Sequence, residues 1–125
     1  MKALTLMTAI AFAPADLAHA GPTPDTGPVL EIVTFRLKPG TVQDQFLSAA
    51  QGTEAMLRDR GALTRRFLTV DDTGLWTDVI EWTSMGEALA AAEAVMSHPD
   101  FAPFGSLIDE ATVTMRHAPI LYRMD

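Results

Sequence analysis

Nothing in this chain restricts its fold more than the segment Leu75 to Phe104, LWTDVIEWTSMGEALAAAEAVMSHPDFAPF, in which a two-residue period gives way abruptly to a helical one. Trp76, Asp78, Ile80 and Trp82 alternate with Thr77, Val79, Glu81 and Thr83, which predicts a strand. Ser84 stands three residues before Glu87, the spacing of a capping box, where hydroxyl and carboxylate each satisfy a backbone N–H of the first helical turn. Met85, Leu89, Ala92 and Met96 then recur at intervals of three and four among strong helix formers, predicting an amphipathic helix. Pro99 disfavours helical geometry at His98, so the helix ends or bends there. The same proline suits the start of a further turn carrying Phe101, Phe104 and Leu107. A strand that feeds a one-sided helix needs a sheet for that helix to cover.

The rest of the chain supplies one. Val29 to Lys38 predicts a first strand, with Val29, Val33, Phe35 and Leu37 towards helices and Leu30, Ile32, Thr34 and Arg36 opposite. Pro39-Gly40 ends it, and Thr41 with Asp44 repeats the capping pattern. Val42, Phe46, Ala49, Ala50, Thr53 and Leu57 form the buried side of a helix reaching about Arg60, with Gly61 as its stop. Leu63 to Val70 is a second strand, joined through the compact turn Asp71 to Gly74 to the strand described above, so these two form an antiparallel hairpin. Ala111 to Met115, extending towards Tyr122, is the last strand. The order strand, helix, strand, strand, helix, strand is the ferredoxin-like βαββαβ arrangement of the α+β class: a four-stranded antiparallel sheet with two helices on one face. Leu30, Ile32, Ile80 and Trp82 are assigned to the other face. No helix remains to cover it, so a second copy of the chain is expected to do so, as a homodimer.

Residues 1–20 begin with Lys2, continue through an apolar run and close on Ala18-His19-Ala20, the layout of a cleavable signal peptide. The run is too short to span a bilayer as a mature helix, so no membrane insertion is expected after cleavage. Residues 21–28 are a Pro- and Gly-rich lead, residues 29–125 form one domain, and the expected location is periplasmic or secreted. A formal charge of −7 argues against nucleic acid as a partner, because the phosphate backbone calls for clustered Lys and Arg. The chain lacks cysteine, which removes disulfides, thiolate metal sites and cysteine nucleophiles from consideration. Its histidines show no paired metal-ligand spacing, so no metal site is expected.

Residues 29–122 resemble the dimeric α+β barrel superfamily and, within it, the antibiotic biosynthesis monooxygenase domain family. The resemblance is carried by Val33 to Gly40 running into the first helix, by Glu81-Trp82-Thr83-Ser84 with Glu87-Ala88, and by Ser97-His98-Pro99 before Phe101 and Phe104. It implies two sheets paired face to face, with a small-molecule pocket between each sheet and its helices. It also implies cofactor-independent oxygenation of quinol-like or anthrone-like aromatics, or haem breakdown. Pockets of that family typically hold an asparagine, a tryptophan and a histidine or tyrosine. Trp82 resembles the tryptophan, whereas this chain contains no asparagine.

The candidate site residues follow from these two readings together. His98, at a helix end beside Met96, Phe101 and Phe104, is a candidate base for a phenolic substrate; its alternative role is to bond terminal backbone groups. Trp82 is a candidate for stacking on an aromatic ligand, or else a core residue. His117, next to Arg116 on the last strand, either helps bind a ligand or sits at a solvated strand end. Thr34 stands as a hydrogen-bonding substitute for the missing asparagine, and Met96, Phe101 and Phe104 as apolar substrate contacts. Asp78 and Arg36 are each expected in a salt bridge if buried. The expected function is to bind a small apolar or aromatic molecule, and the resemblance implies oxygenating it without a cofactor as the enzyme reading. A non-catalytic binding or sensing dimer and a periplasmic haem binder, using His98 or His117, are the alternatives.

Overall fold

The computed structural model describes residues 26–125; the expected signal peptide and most of the lead after it lie outside the described residues. Strand β1 (Val29–Leu37) is followed by helices α1 (Gln43–Gln51) and α2 (Glu54–Arg58), then by strands β2 (Leu63–Val70) and β3 (Trp76–Trp82). Helix α3 (Met85–Met96) leads into a 3-10 turn (Pro99–Phe101), the short helix α4 (Ala102–Gly105) and strand β4 (Ile108–Pro119). The strands form one antiparallel sheet in the order β2-β3-β1-β4. This is the ferredoxin-like arrangement expected from the sequence.

Ser84 caps α3 as its spacing predicted, its Oγ accepting from the Glu87 N–H at 3.1 Å. Thr41 and Asp44 do not cap α1; the residue preceding it is Val42, and no side chain closes that end. The first helical segment also breaks where one helix was expected. At Thr53 the hydroxyl donates to the Ala50 carbonyl at 2.6 Å and the backbone N–H donates to the same oxygen at 3.0 Å, a tight local closure before α2 begins. Gly61 does end the segment, with a φ of 75° that only glycine adopts freely.

Cross-strand partners share a face, so the register decides what the helices cover. Val29 pairs with Trp82 and Glu31 with Ile80, and Val29 is fully buried under the helices. Trp82 and Ile80 therefore lie on the helix side, not on the open face to which the sequence pattern assigned them. The open face carries Leu30, Ile32 and Thr34 of β1, Val79 and Glu81 of β3, and the exposed Phe67 of β2. Glu81 is buried there by Arg65, at 3.4 Å, and by Arg123 from the C-terminal segment, which hydrogen-bonds to it.

Two apolar clusters occupy the space between sheet and helices. One joins Val29, Ile80 and Trp82 to Met56, Leu57, Met85 and Ala88. The other is aromatic: Phe104 stacks on Phe46 at 4.7 Å, and Phe46 meets Trp76 edge-on at 4.8 Å. Helix α3 buries Met85, Ala88, Ala91 and Ala92, a stripe slightly rotated from the one expected, with Leu89 and Met96 half-buried at its flank. Small alanines let the helix approach the sheet closely, while the bulk comes from Ile80 and Trp82 beneath.

Candidate functional site

Between the clusters lies a cavity of about 470 Å³, a volume suited to a small organic ligand. Phe35, Ile80 and Trp82 of the sheet form its floor, and Ala91, Val95 and Met96 of α3 form one wall. Phe101 and Phe104 close another side. They reach it because Pro99 stops α3 and turns the chain back towards the sheet, where Phe104 packs against Phe35 and Phe46.

Polar side chains interrupt these apolar walls: Glu110 of β4 and three buried groups. Glu31 lines the cavity from β1, with its residue only 7 % exposed, and its Oε1 lies 3.1 Å from Nε2 of His117. His117 is opposite Glu31 on β4, and the imidazole is itself buried, so the pair bonds across neighbouring strands behind the cavity wall. A carboxylate and an imidazole held in this way can pass a proton between them.

The second group is centred on Arg66. Its Nε and Nη2 donate to both oxygens of Asp78 at 2.9 and 2.8 Å, and its Nη1 donates to Thr53 Oγ1 at 2.9 Å. The guanidinium carbon lies 5.3 Å from the centre of the Phe104 ring, within cation–π range. Asp78 is 5 % exposed, so a bidentate partner is what makes its burial tolerable. The third group is the indole of Trp82, which is 1 % exposed and whose Nε1 has no hydrogen-bond partner among the described residues. A buried donor without a partner calls for an acceptor, and the cavity is where a ligand could bring one.

Of the residues anticipated from sequence, Trp82, Met96, Phe101 and Phe104 all line this cavity. His117 is brought to its edge through Glu31, buried rather than solvated. His98 is carried outside it: the side chain is largely exposed, and its Nδ1 accepts from the Asp100 N–H at 3.0 Å, capping the 3-10 turn. Thr34 lies on the open face, its hydroxyl 2.6 Å from that of Thr114. Asp78 does form a salt bridge, but with Arg66; Arg36 instead donates to the Thr73 carbonyl at 2.7 Å. Of the two histidines considered for haem, His117 is buried with its Nε2 bonded to Glu31, and His98 stands outside the cavity.

Sequence reasoning passed over Glu31 and Arg66. A signal for Glu31 was present: it occupies the inward phase of β1 between Val29 and Val33, where an unpartnered acid would be costly.

No protein-family model matches this sequence, and no curated protein matches it. The solved structures do. SnoaB, a cofactor-independent oxygenase from Streptomyces nogalater, is 18 % identical and superposes with a TM-score of 0.54 over 79 % of this chain and 96 % of its own. A Bordetella bronchiseptica protein provisionally designated an antibiotic biosynthesis monooxygenase gives 17 % and 0.63 over 77 % and 99 %. This chain has the antibiotic biosynthesis monooxygenase-like fold. The hydroxynitrile lyase of Passiflora edulis also shares it, at 13 % identity and a TM-score of 0.57 over 80 % and 99 %, so the monooxygenase-like fold serves more than one reaction.

Proposed function

We propose that this protein binds a small, largely apolar aromatic molecule in the cavity between sheet and helices, and that it oxygenates the molecule without metal or flavin. The observation that carries the reading is the buried Glu31–His117 pair opening on an apolar cavity. In this reading Glu31, backed by His117, takes the proton from a phenolic O–H, and the Trp82 N–H holds the resulting oxyanion. The electron-rich ring then reacts with dioxygen directly. At a ring methylene, one oxygen atom ends as the new carbonyl, and the other leaves as water with the two hydrogens lost from that carbon. SnoaB, a cofactor-independent oxygenase on the same fold, supports the chemistry. The base falls to Glu31, which lines the cavity with His117 bonded behind it, instead of His98, which stands outside it.

The test is oxygen uptake by the metal-free, colourless protein supplied with a hydroquinone or an anthrone. Turnover that Glu31→Gln abolishes is the expected result; uptake no faster than the buffer rate rejects the enzyme reading. A second reading, a non-catalytic binding protein, draws on a specific feature. Arg66 is held by Asp78 and Thr53 through three of its five N–H groups and its charge is paired with Asp78, which leaves little cationic help for a developing oxyanion.

The proposal includes a homodimer, in which a second sheet covers Leu30, Ile32, Val79 and Phe67 of the open face, and export after cleavage behind Ala20. Light scattering and the intact mass of protein from its own host test these; a monomer or an uncleaved chain would reject the corresponding part.

A further inference from the structure

Three carboxylates, those of Glu31, Asp78 and Glu110, line the cavity, and Arg66 is the one cationic group among the described lining residues. Arg66 is not free to meet a ligand's negative charge. Three of its donor hydrogens are committed to Asp78 and Thr53, and its face rests against Phe104. Asp78 cannot turn away to solvent, since it points inward from β3 in register with Leu68 of β2 and Val33 of β1. Counted formally, the three carboxylates and Arg66 leave the lining a net of two negative charges inside apolar walls, where a field is weakly screened.

Trp82 lines the same cavity, and its buried N–H has no hydrogen-bond partner among the described residues. The indole can only donate, whereas the Glu31 carboxylate, beyond its bond to His117, can accept further. A hydroxyl group serves both, accepting from the indole and donating to the carboxylate. A ligand carboxylate can only accept, and it would bring a further negative charge towards Glu31 and Glu110.

We propose that this cavity selects its ligand by charge: it takes an uncharged hydroxylated aromatic molecule and excludes the matching carboxylate, and Asp78 decides the selection by cancelling Arg66. The inference rests on the reading that the cavity is a ligand site. It goes beyond that reading by assigning specificity to a residue whose bond to Arg66 otherwise looks purely structural. Removing the Asp78 charge returns a cation to the cavity, so the variant should gain affinity for anions, an outcome that simple damage to the fold would not produce.

The experiment is isothermal titration of the full chain at neutral pH with 2-naphthol and with 2-naphthoate, which share one ring system and differ in charge. The unaltered protein is expected to bind 2-naphthol at least about tenfold more tightly, a difference of about 1.4 kcal/mol. Asp78→Asn is expected to narrow that ratio or reverse it. Should circular dichroism show that this variant is unfolded, Glu110→Gln serves in its place, with a smaller narrowing expected. Equal affinities in the unaltered protein would overturn charge selection while leaving the cavity as a ligand site. A ratio unchanged in the folded variants would overturn the assignment to these residues. Absence of saturable binding by either compound would overturn both this inference and the ligand site beneath it.

Discussion

Nε2 of His117 lies 3.1 Å from Oε1 of Glu31 across the β1–β4 pairing, and both side chains are almost wholly withdrawn from solvent. Neither residue gains such a position from its own strand. It takes the antiparallel register to bring an imidazole from one edge of the fold to a carboxylate on the wall of a cavity.

The first prediction concerns that pair. Glu31→Gln preserves shape and removes the proton acceptor, so oxygen uptake should fall by at least about 100-fold, the low end of what a positioned base contributes. The thermal midpoint should change far less. Comparable losses in His117→Ala would show that the pair works as a unit, whereas full activity in Glu31→Gln would exclude it as the base.

Arg66 and Asp78 yield a second prediction, this time on stability. Removing either partner leaves the other charged and buried, so Asp78→Ala and Arg66→Ala should each cost about 3–5 kcal/mol in urea unfolding. Arg66→Met combined with Asp78→Leu should cost much less than the sum of the single losses, because no charge is then stranded. Additive losses would show that the bridge contributes little as a pair.

Trp82→Phe isolates the indole N–H. The native donor has no partner among the described residues, so its removal breaks no native hydrogen bond, and stability should fall by no more than about 1–2 kcal/mol through lost packing. Affinity for a hydroxylated aromatic should fall by about 1 kcal/mol, near the net worth of one hydrogen bond. Calorimetric titration of both proteins provides the comparison, and undiminished affinity would mean that the indole N–H does not contact the ligand.

The hairpin turn between β2 and β3 provides a pH-dependent prediction. Asp71 accepts from the Thr73 hydroxyl at 2.6 Å and from the backbone N–H groups of Thr73 and Leu75 at 2.8 and 3.0 Å; these bonds, with a weaker contribution from nearby Arg36, hold its carboxyl below the ordinary aspartate value. A depressed native value means that the unfolded chain takes up the proton first as the pH falls. The turn's stabilisation is therefore complete above the ordinary aspartate range and is lost as acidity passes through the native value. Carboxyl NMR titration should find Asp71 among the most acidic aspartates, and Asp71→Asn should flatten the acid limb of the stability curve. An Asp71 midpoint at the ordinary value would sink this account.

Much of the fold was legible before any coordinates because it depends on local chemistry. Alternation from Trp76 to Trp82, the Ser84 cap, the stop at Pro99 and the turn at Asp71 each act over a few residues, and each holds in the structure. Thr41 was misread as a cap because a capping sequence says only that a bond is available. At α1 the chain enters without using it.

The cavity's apolar walls were likewise foreshadowed, since Trp82, Met96, Phe101 and Phe104 lie near one another in sequence and needed only a helix end to converge. Its polar groups were not. Glu31 and His117, or Arg66 and Asp78, belong to different strands, and only the register states who faces whom. The same register moved Ile80 and Trp82 to the helix side and left Thr34 on the other. The sequence by itself determined the elements, their order and which residues are apolar, because those follow from propensity and period. Only the tertiary structure decided which charges are neutralised and which donor is left without a partner, because a buried polar group takes its meaning from neighbours far away in the chain.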